Sequence, residues 1–99
     1  MFIRGRWEHG FNVANKSRST PKPPSEYLKL MYFDCLTHYE PSLAFMVNSI
    51  GADRIVIGTD YPSSMGLFEP VKFVQNAAGI SASDKEIILE QTAVALLKL

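Results

Sequence analysis

Ninety-nine residues, 46% of them hydrophobic and 20% charged, amount to at most one small globular domain. That share of apolar side chain excludes a disordered chain, and a formal net charge of zero leaves no global field pulling it toward nucleic acid or an anionic membrane. The charge is uneven, since residues 1–24 carry Arg4, Arg6, Lys16, Arg18 and Lys22 against Glu8 alone. A nucleic-acid role would rest on that segment only, and a solvated loop is the simpler expectation for Lys16, Arg18 and Lys22.

Met1-Phe2-Ile3-Arg4 lacks the apolar core of a signal peptide, and no apolar run approaches the ~18 residues of a membrane span. The expected setting is cytoplasmic, with neither membrane nor nucleic acid as a partner. Cys35 is the single cysteine and sits in an apolar run, so a buried thiol is expected rather than a bridge or a nucleophile.

Along the chain, residues 12–25 are polar and close with Pro21, Pro23 and Pro24. Proline has no amide to give to a ladder, so this is expected to be a loop. At about 14 residues it is longer than most connections, which favours a functional or subunit-contact role. Ser25 can cap a short helix through Leu28, and Leu30 to Leu36 reads as a strand. Pro41 then suits the first position of a helix whose Leu43, Met46, Val47 and Ile50 recur on one face, with Gly51 as its stop.

Arg54 to Asp60 follows as a second strand. Its β-branched run has no polar alternation, the pattern of a strand covered on both faces in a parallel sheet. Strand, helix and strand form one βαβ unit. Pro70 opens a further helix, with Val71, Val74 and Ala78 on one stripe and Gly79 as its stop. The last helix is expected to start at a capping box of Ser83 and Glu86, with Ile88, Leu89, Ala93 and Leu96 inward. Two buried-type strands need neighbours on their open edges, and no other convincing strand is present.

One short run carries chemistry: Gly58-Thr59-Asp60-Tyr61-Pro62. An acidic residue at the carboxyl end of a buried parallel strand stands where α/β barrels place their active sites. Asp60 there can ligate a divalent metal or act as a base; an aspartate between a strand and a proline also serves as a turn or cap residue.

Gly58-Thr59-Asp60-Tyr61-Pro62, preceded by Asp53-Arg54-Ile55-Val56-Ile57, resembles the final barrel strand of the amidohydrolase-related family of metal-dependent hydrolases and decarboxylases. Gly5-Arg6-Trp7-Glu8-His9-Gly10-Phe11 resembles that family's G-R-x-x-H-G-F stretch, and Tyr32-Phe33-Asp34-Cys35-Leu36-Thr37-His38 its seventh strand. The three pieces stand in the family's order and spacing across nearly the whole chain. The resemblance implies an α/β fold, the C-terminal part of a (β/α)8 barrel comprising its last two strands with their helices, over residues 1–99. A complete barrel of this kind takes ~250 residues, so this chain is expected to supply roughly the last third of one. Met1 falls where the family has the helix after strand six.

The resemblance also implies roles. Asp60 matches the family's aspartate in the catalytic metal site, usually zinc. Arg6 matches an arginine that reaches across a homodimer to a carboxylate of the small-molecule substrate, a task suited to a planar guanidinium fork. Neither His9 nor His38 matches the family's metal-binding or catalytic histidines, and no H-x-H pair occurs. Asp34 is expected to anchor neighbouring backbone or side chains. The family's decarboxylase branch has an aromatic residue soon after tyrosine-proline, where this chain has Ser63 and Ser64; its last helix carries asparagine-alanine, where this chain has Thr92-Ala93. The implied chemistry is non-oxidative removal of CO2 from a carboxylated unsaturated substrate. Hydrolysis at the same metal is the alternative, as is an inert interaction module.

Overall fold

The computed structural model describes residues 3–14 and 19–99. Two compact units divide the chain, Met1–Met31 and Tyr32–Leu99.

The first unit is helical. Helix α1 spans Arg4–Ala14, and none of its residues is buried. It continues through Asn12–Ala14, so the expected loop over 12–25 is entered later than its polar composition suggests. Residues 15–18, with Lys16 and Arg18, lie outside the described residues. Helix α2 is Pro24–Leu28, with Pro24 at its first position and Pro23 as N-cap in extended backbone. Ser25 therefore lies inside the helix and does not cap it. The orphan Ser25 amide is instead met by a carboxylate from the other helix, donating to Glu8 Oε1 at 2.7 Å.

The second unit holds the core. Strand β1, Phe33–Asp34, pairs in parallel with β2, Ile55–Val56, in the register Phe33 to Ile55 and Asp34 to Val56. Between them runs helix α3, Glu40–Ile50, followed by a 3₁₀ turn, Ala52–Arg54. This is the expected βαβ order, and α3 starts and stops as its sequence indicates. Pro41 lies in the first turn, and Gly51 takes a φ of 94° while its amide donates to the Val47 carbonyl.

Both strands are shorter than expected. β1 covers two residues of the run from Leu30 to Leu36, although the Cys35 amide extends the ladder by donating to the Val56 carbonyl at 2.9 Å. Leu30 and Met31 are exposed, and a ladder lasts only as far as there is a partner to bond. In β2, residues 57–60 run on past the paired segment.

The helices that close the chain differ in detail from the expectation. Helix α4 is Pro70–Asn76, and the chain buries Pro70, Val74 and Ala77. The buried face is thus spaced four and then three residues apart, whereas Val71 and Ala78 face solvent. Helix α5, Ala82–Glu86, is capped by Ser81 and not by Ser83: Ser81 Oγ accepts from the Asp84 amide at 3.1 Å and donates to Asp84 Oδ2 at 2.7 Å. The sequence contains two overlapping capping boxes, and the chain uses the one that follows directly on buried Ile80. A π-turn, Ile87–Gln91, then leads into α6, Thr92–Leu97. The wider turn shifts the helical register, so Ile88 and Thr92 are buried while Leu96 is not.

Leu43, Ile55, Val74, Ile88 and Cys35 are the largest fully buried side chains. Each aliphatic one contributes roughly 1.5–3 kcal/mol by leaving water. Thr92 is the buried polar residue of this core, and its hydroxyl donates to the Ala52 carbonyl at 3.1 Å. That bond ties α6 to the turn leading into β2.

Candidate metal and substrate site

The paired strands hold their ends close because two small features permit it. At Gly58, a Cβ would lie 2.7 Å from the Asp34 Cβ, so only glycine lets the two segments approach. Asp34 Oδ1 accepts the Leu36 amide at 2.9 Å, an Asx turn that bends β1 away after the ladder. Asp34 thus anchors backbone, as expected of it. Cys35 is fully buried beside these groups, and burial pushes its thiol pKa up from the ordinary value.

Asp60 stands beyond the carboxyl end of β2. It is exposed, and its backbone is left-handed with a φ of 55°. Such a conformation costs an ordinary residue roughly 1–2 kcal/mol, and aspartate is among the few that visit it. The following Tyr61–Pro62 peptide is cis. The Asp60 carbonyl accepts the Ser63 amide at 2.8 Å. Its carboxylate has no ion pair or hydrogen bond among the described residues. Asp60 is thus a residue of the turn that follows the strand, through its backbone and not through a side-chain cap.

His38, past the end of β1, repeats the pattern. It is exposed and left-handed, with a φ of 53°. Among the described residues no three His, Cys, Asp or Glu side chains gather as a metal cage. A carboxylate such as Asp60 could supply one ligand to a divalent ion, whereas a catalytic zinc takes three protein ligands and an open position.

Arg6 belongs to the first unit. It is exposed on α1 and lines an open cleft of about 670 Å³ together with Ile3, Trp7, Phe11 and Pro24. The cleft pairs a guanidinium with aromatic and apolar walls, a combination suited to an organic anion. The sequence pattern singles out Arg6 but not this setting, because α1 lacks a clean apolar stripe. His9 is exposed on the same helix. No helix among the described residues is long and apolar enough to cross a membrane.

The architecture finds counterparts in solved structures. An amidohydrolase of Mycobacterium avium subsp. paratuberculosis K-10 superposes with a TM-score of 0.70 at 27% identity, over 99% of this chain and 24% of that one. The apo form of Metarhizium anisopliae IDCase superposes equally, at 0.70, over 98% of this chain and 30% of that one, with 23% identity, and supports the fold alone. No family model matches the chain. The similarity to that amidohydrolase extends over nearly the whole of this chain.

Its curated relatives are more particular. The 2-amino-3-carboxymuconate-6-semialdehyde decarboxylases of Dictyostelium discoideum and Caenorhabditis elegans are 35% and 36% identical to it, over 99% and 96% of this chain. The chain spans about a quarter of the length of these relatives, 28% and 24% respectively.

Proposed function

We propose that this chain forms the last two strands and following helices of a (β/α)8 barrel in a metal-dependent decarboxylase. Its substrate would be a small carboxylated unsaturated molecule, of the kind named for the two curated relatives. The observation that carries the proposal is Asp60: an exposed carboxylate with no side-chain partner among the described residues, held in left-handed backbone just past the end of a parallel strand. A strained residue at a strand end is where function is commonly stored.

In this reading Asp60 supplies one ligand to a divalent ion, with zinc the expected metal, and the remaining donors come from the rest of the barrel. When bound, such an ion lowers the pKa of water and polarises substrate oxygens. Arg6 holds a substrate carboxylate through its two-pronged guanidinium, contributed across a homodimer, and Trp7 and Phe11 line the same cleft. Fixing one carboxylate restricts the orientation in which the scissile C–C bond breaks. Ser63, where the resembled decarboxylases carry an aromatic residue, leaves a smaller side chain next to the site and points to a substrate shape of its own.

A second reading, hydrolysis at the same site, is favoured by the amidohydrolase among the structural relatives. Both readings are tested on the protein as its gene encodes it, with metal content and CO2 release from 2-amino-3-carboxymuconate-6-semialdehyde as readouts. Asp60→Asn is expected to lower bound zinc and turnover together, by about 100-fold or more in rate, and Arg6→Ala to raise KM for the carboxylate with zinc retained. Turnover without CO2 release selects hydrolysis. Wild-type zinc content in Asp60→Asn removes the metal-site reading altogether.

A further inference from the structure

Thr20-Pro21 is the one place in the chain where a hydroxyl residue precedes a proline. Pro21 fixes its own φ and steers the residue before it toward extended backbone. Thr20 and Pro21 are both exposed and lie outside any helix or strand, and the backbone is extended again at Pro23, with φ −66° and ψ 154°. A protein kinase takes its substrate as accessible, extended chain, because backbone already bonded in a helix is not free to lie along its cleft. Ser25, Ser42 and Ser49 stand in helices and Thr92 is buried, so those hydroxyls are closed to it. Thr20 is open.

The same threonine lines the cleft of the first unit, with Arg6, Trp7 and Phe11. Arg6 is the one ionisable residue on that lining, and it makes no ion pair among the described residues. A lone cation on an otherwise neutral wall is complementary to a fixed anion. Phosphate on a threonine brings about −1.5 to −2 charges at neutral pH, with acceptor oxygens that match a guanidinium fork.

We propose that Thr20 is a phosphorylation site for a proline-directed kinase, and that the phosphate it gains is held in this cleft by Arg6. In the transfer, the Thr20 hydroxyl oxygen bonds the γ-phosphorus of a nucleoside triphosphate. The bond from that phosphorus to its bridging oxygen breaks, the nucleoside diphosphate leaves with the electron pair, and the hydroxyl proton passes to the kinase's base. The consequence for turnover rests on the preceding reading of Arg6: a guanidinium engaged by phosphothreonine is withdrawn from a substrate carboxylate.

The natural protein is incubated with magnesium, ATP and a proline-directed kinase, and the modified residue is read by mass spectrometry. One phosphoryl group on Thr20 is expected, absent in Thr20→Ala and entering about tenfold more slowly in Pro21→Ala, which keeps the hydroxyl. Seating is read from the rate at which an unspecific phosphatase removes the phosphate. The cleft is open to water and the pair is screened, so the natural phosphoprotein is expected to lose its phosphate about threefold more slowly than Arg6→Gln, with Arg6→Lys between them. Phosphorylation of Ser19 in place of Thr20, or of Pro21→Ala at the natural rate, overturns the site. Equal rates of removal in the natural protein and in Arg6→Gln overturn the seat. Neither readout uses substrate or metal, so failure here is distinct from failure of the decarboxylase reading, which shows in turnover and KM.

Discussion

The two units of this chain answer the same problem, burying apolar surface with few residues, in opposite ways. Tyr32–Leu99 closes a core in which Leu43, Ile55, Val74 and Ile88 are fully out of water. In Met1–Met31 the described residues include no buried side chain, and Ile3, Trp7 and Val13 are substantially exposed. A carboxylate-to-amide hydrogen bond, from Ser25 to Glu8, links its two helices. A hydrogen bond of this kind contributes about 1–3 kcal/mol at best, against several times that from a closed core. The lesson is that the two candidate site residues rest on unequal supports: Asp60 on a packed sheet end, Arg6 on a solvated helix.

Truncating the core tests that contrast most severely. Ile55→Ala is expected to destabilise the second unit by about 2–5 kcal/mol, read as a shift in the denaturation midpoint by circular dichroism. Trp7 is the only tryptophan and lies in the first unit, so its fluorescence reports that unit. An equal shift of both signals would break the comparison by making the units one cooperative body. Next in size, Thr92→Val should cost about 0.5–1.5 kcal/mol, because the Ala52 carbonyl loses one of its two donors and keeps the Ile55 amide; a neutral result would mean that the hydroxyl adds nothing to the bond from that amide.

The smallest expected effect concerns Cys35. Burial places its folded pKa above the unfolded value of about 8.5, so the folded state keeps its full stability below that pH and loses some as pH rises through and beyond it. Cys35→Ala should flatten this alkaline limb while leaving the pH 7 profile shape unchanged. A stability curve falling just as steeply above pH 9 without the thiol would assign the loss to other groups.

Much of the second unit was legible because its signals are local and one-sided. Pro41, the Leu43–Ile50 apolar period and Gly51 define α3 without reference to anything outside it. The strands were legible in kind and order but not in length, because a ladder extends only where a partner strand lies alongside, and no propensity at Leu30 or Met31 encodes that. The face of α4 was misjudged for a related reason: Ala77 packs just beyond the helix end, so an uninterrupted helical period over Val71, Val74 and Ala78 does not describe it. Ser83 and Ser81 both satisfy a capping pattern, and only the burial of Ile80 decides between them. Helix α1 is indicated only by the resemblance, which puts a helix at the start of the chain, since its polar surface offers no apolar stripe and residues 12–14 look like loop.

At the candidate site, Asp60 could be singled out from its place after a β-branched run, and Arg6 only from a motif. The 61–67 loop closes on Thr59, whose carbonyl accepts the Leu67 amide at 2.8 Å and leaves no room for a Cβ at Gly66. That closure had one available cue, a glycine six residues after the aspartate, but a sequence does not show which backbone a glycine will press against.

The left-handed turns at His38 and Asp60 carry a practical consequence for mutagenesis and for drift alike. Aspartate, asparagine and histidine tolerate that region of backbone space better than other residues with a side chain. Asparagine at position 60 therefore removes charge while sparing the main chain, whereas alanine or glutamate would confound electrostatics with a conformational penalty. The same bias narrows the neutral substitutions open to these two positions, so their variation should be restricted even in descendants that have lost any chemistry.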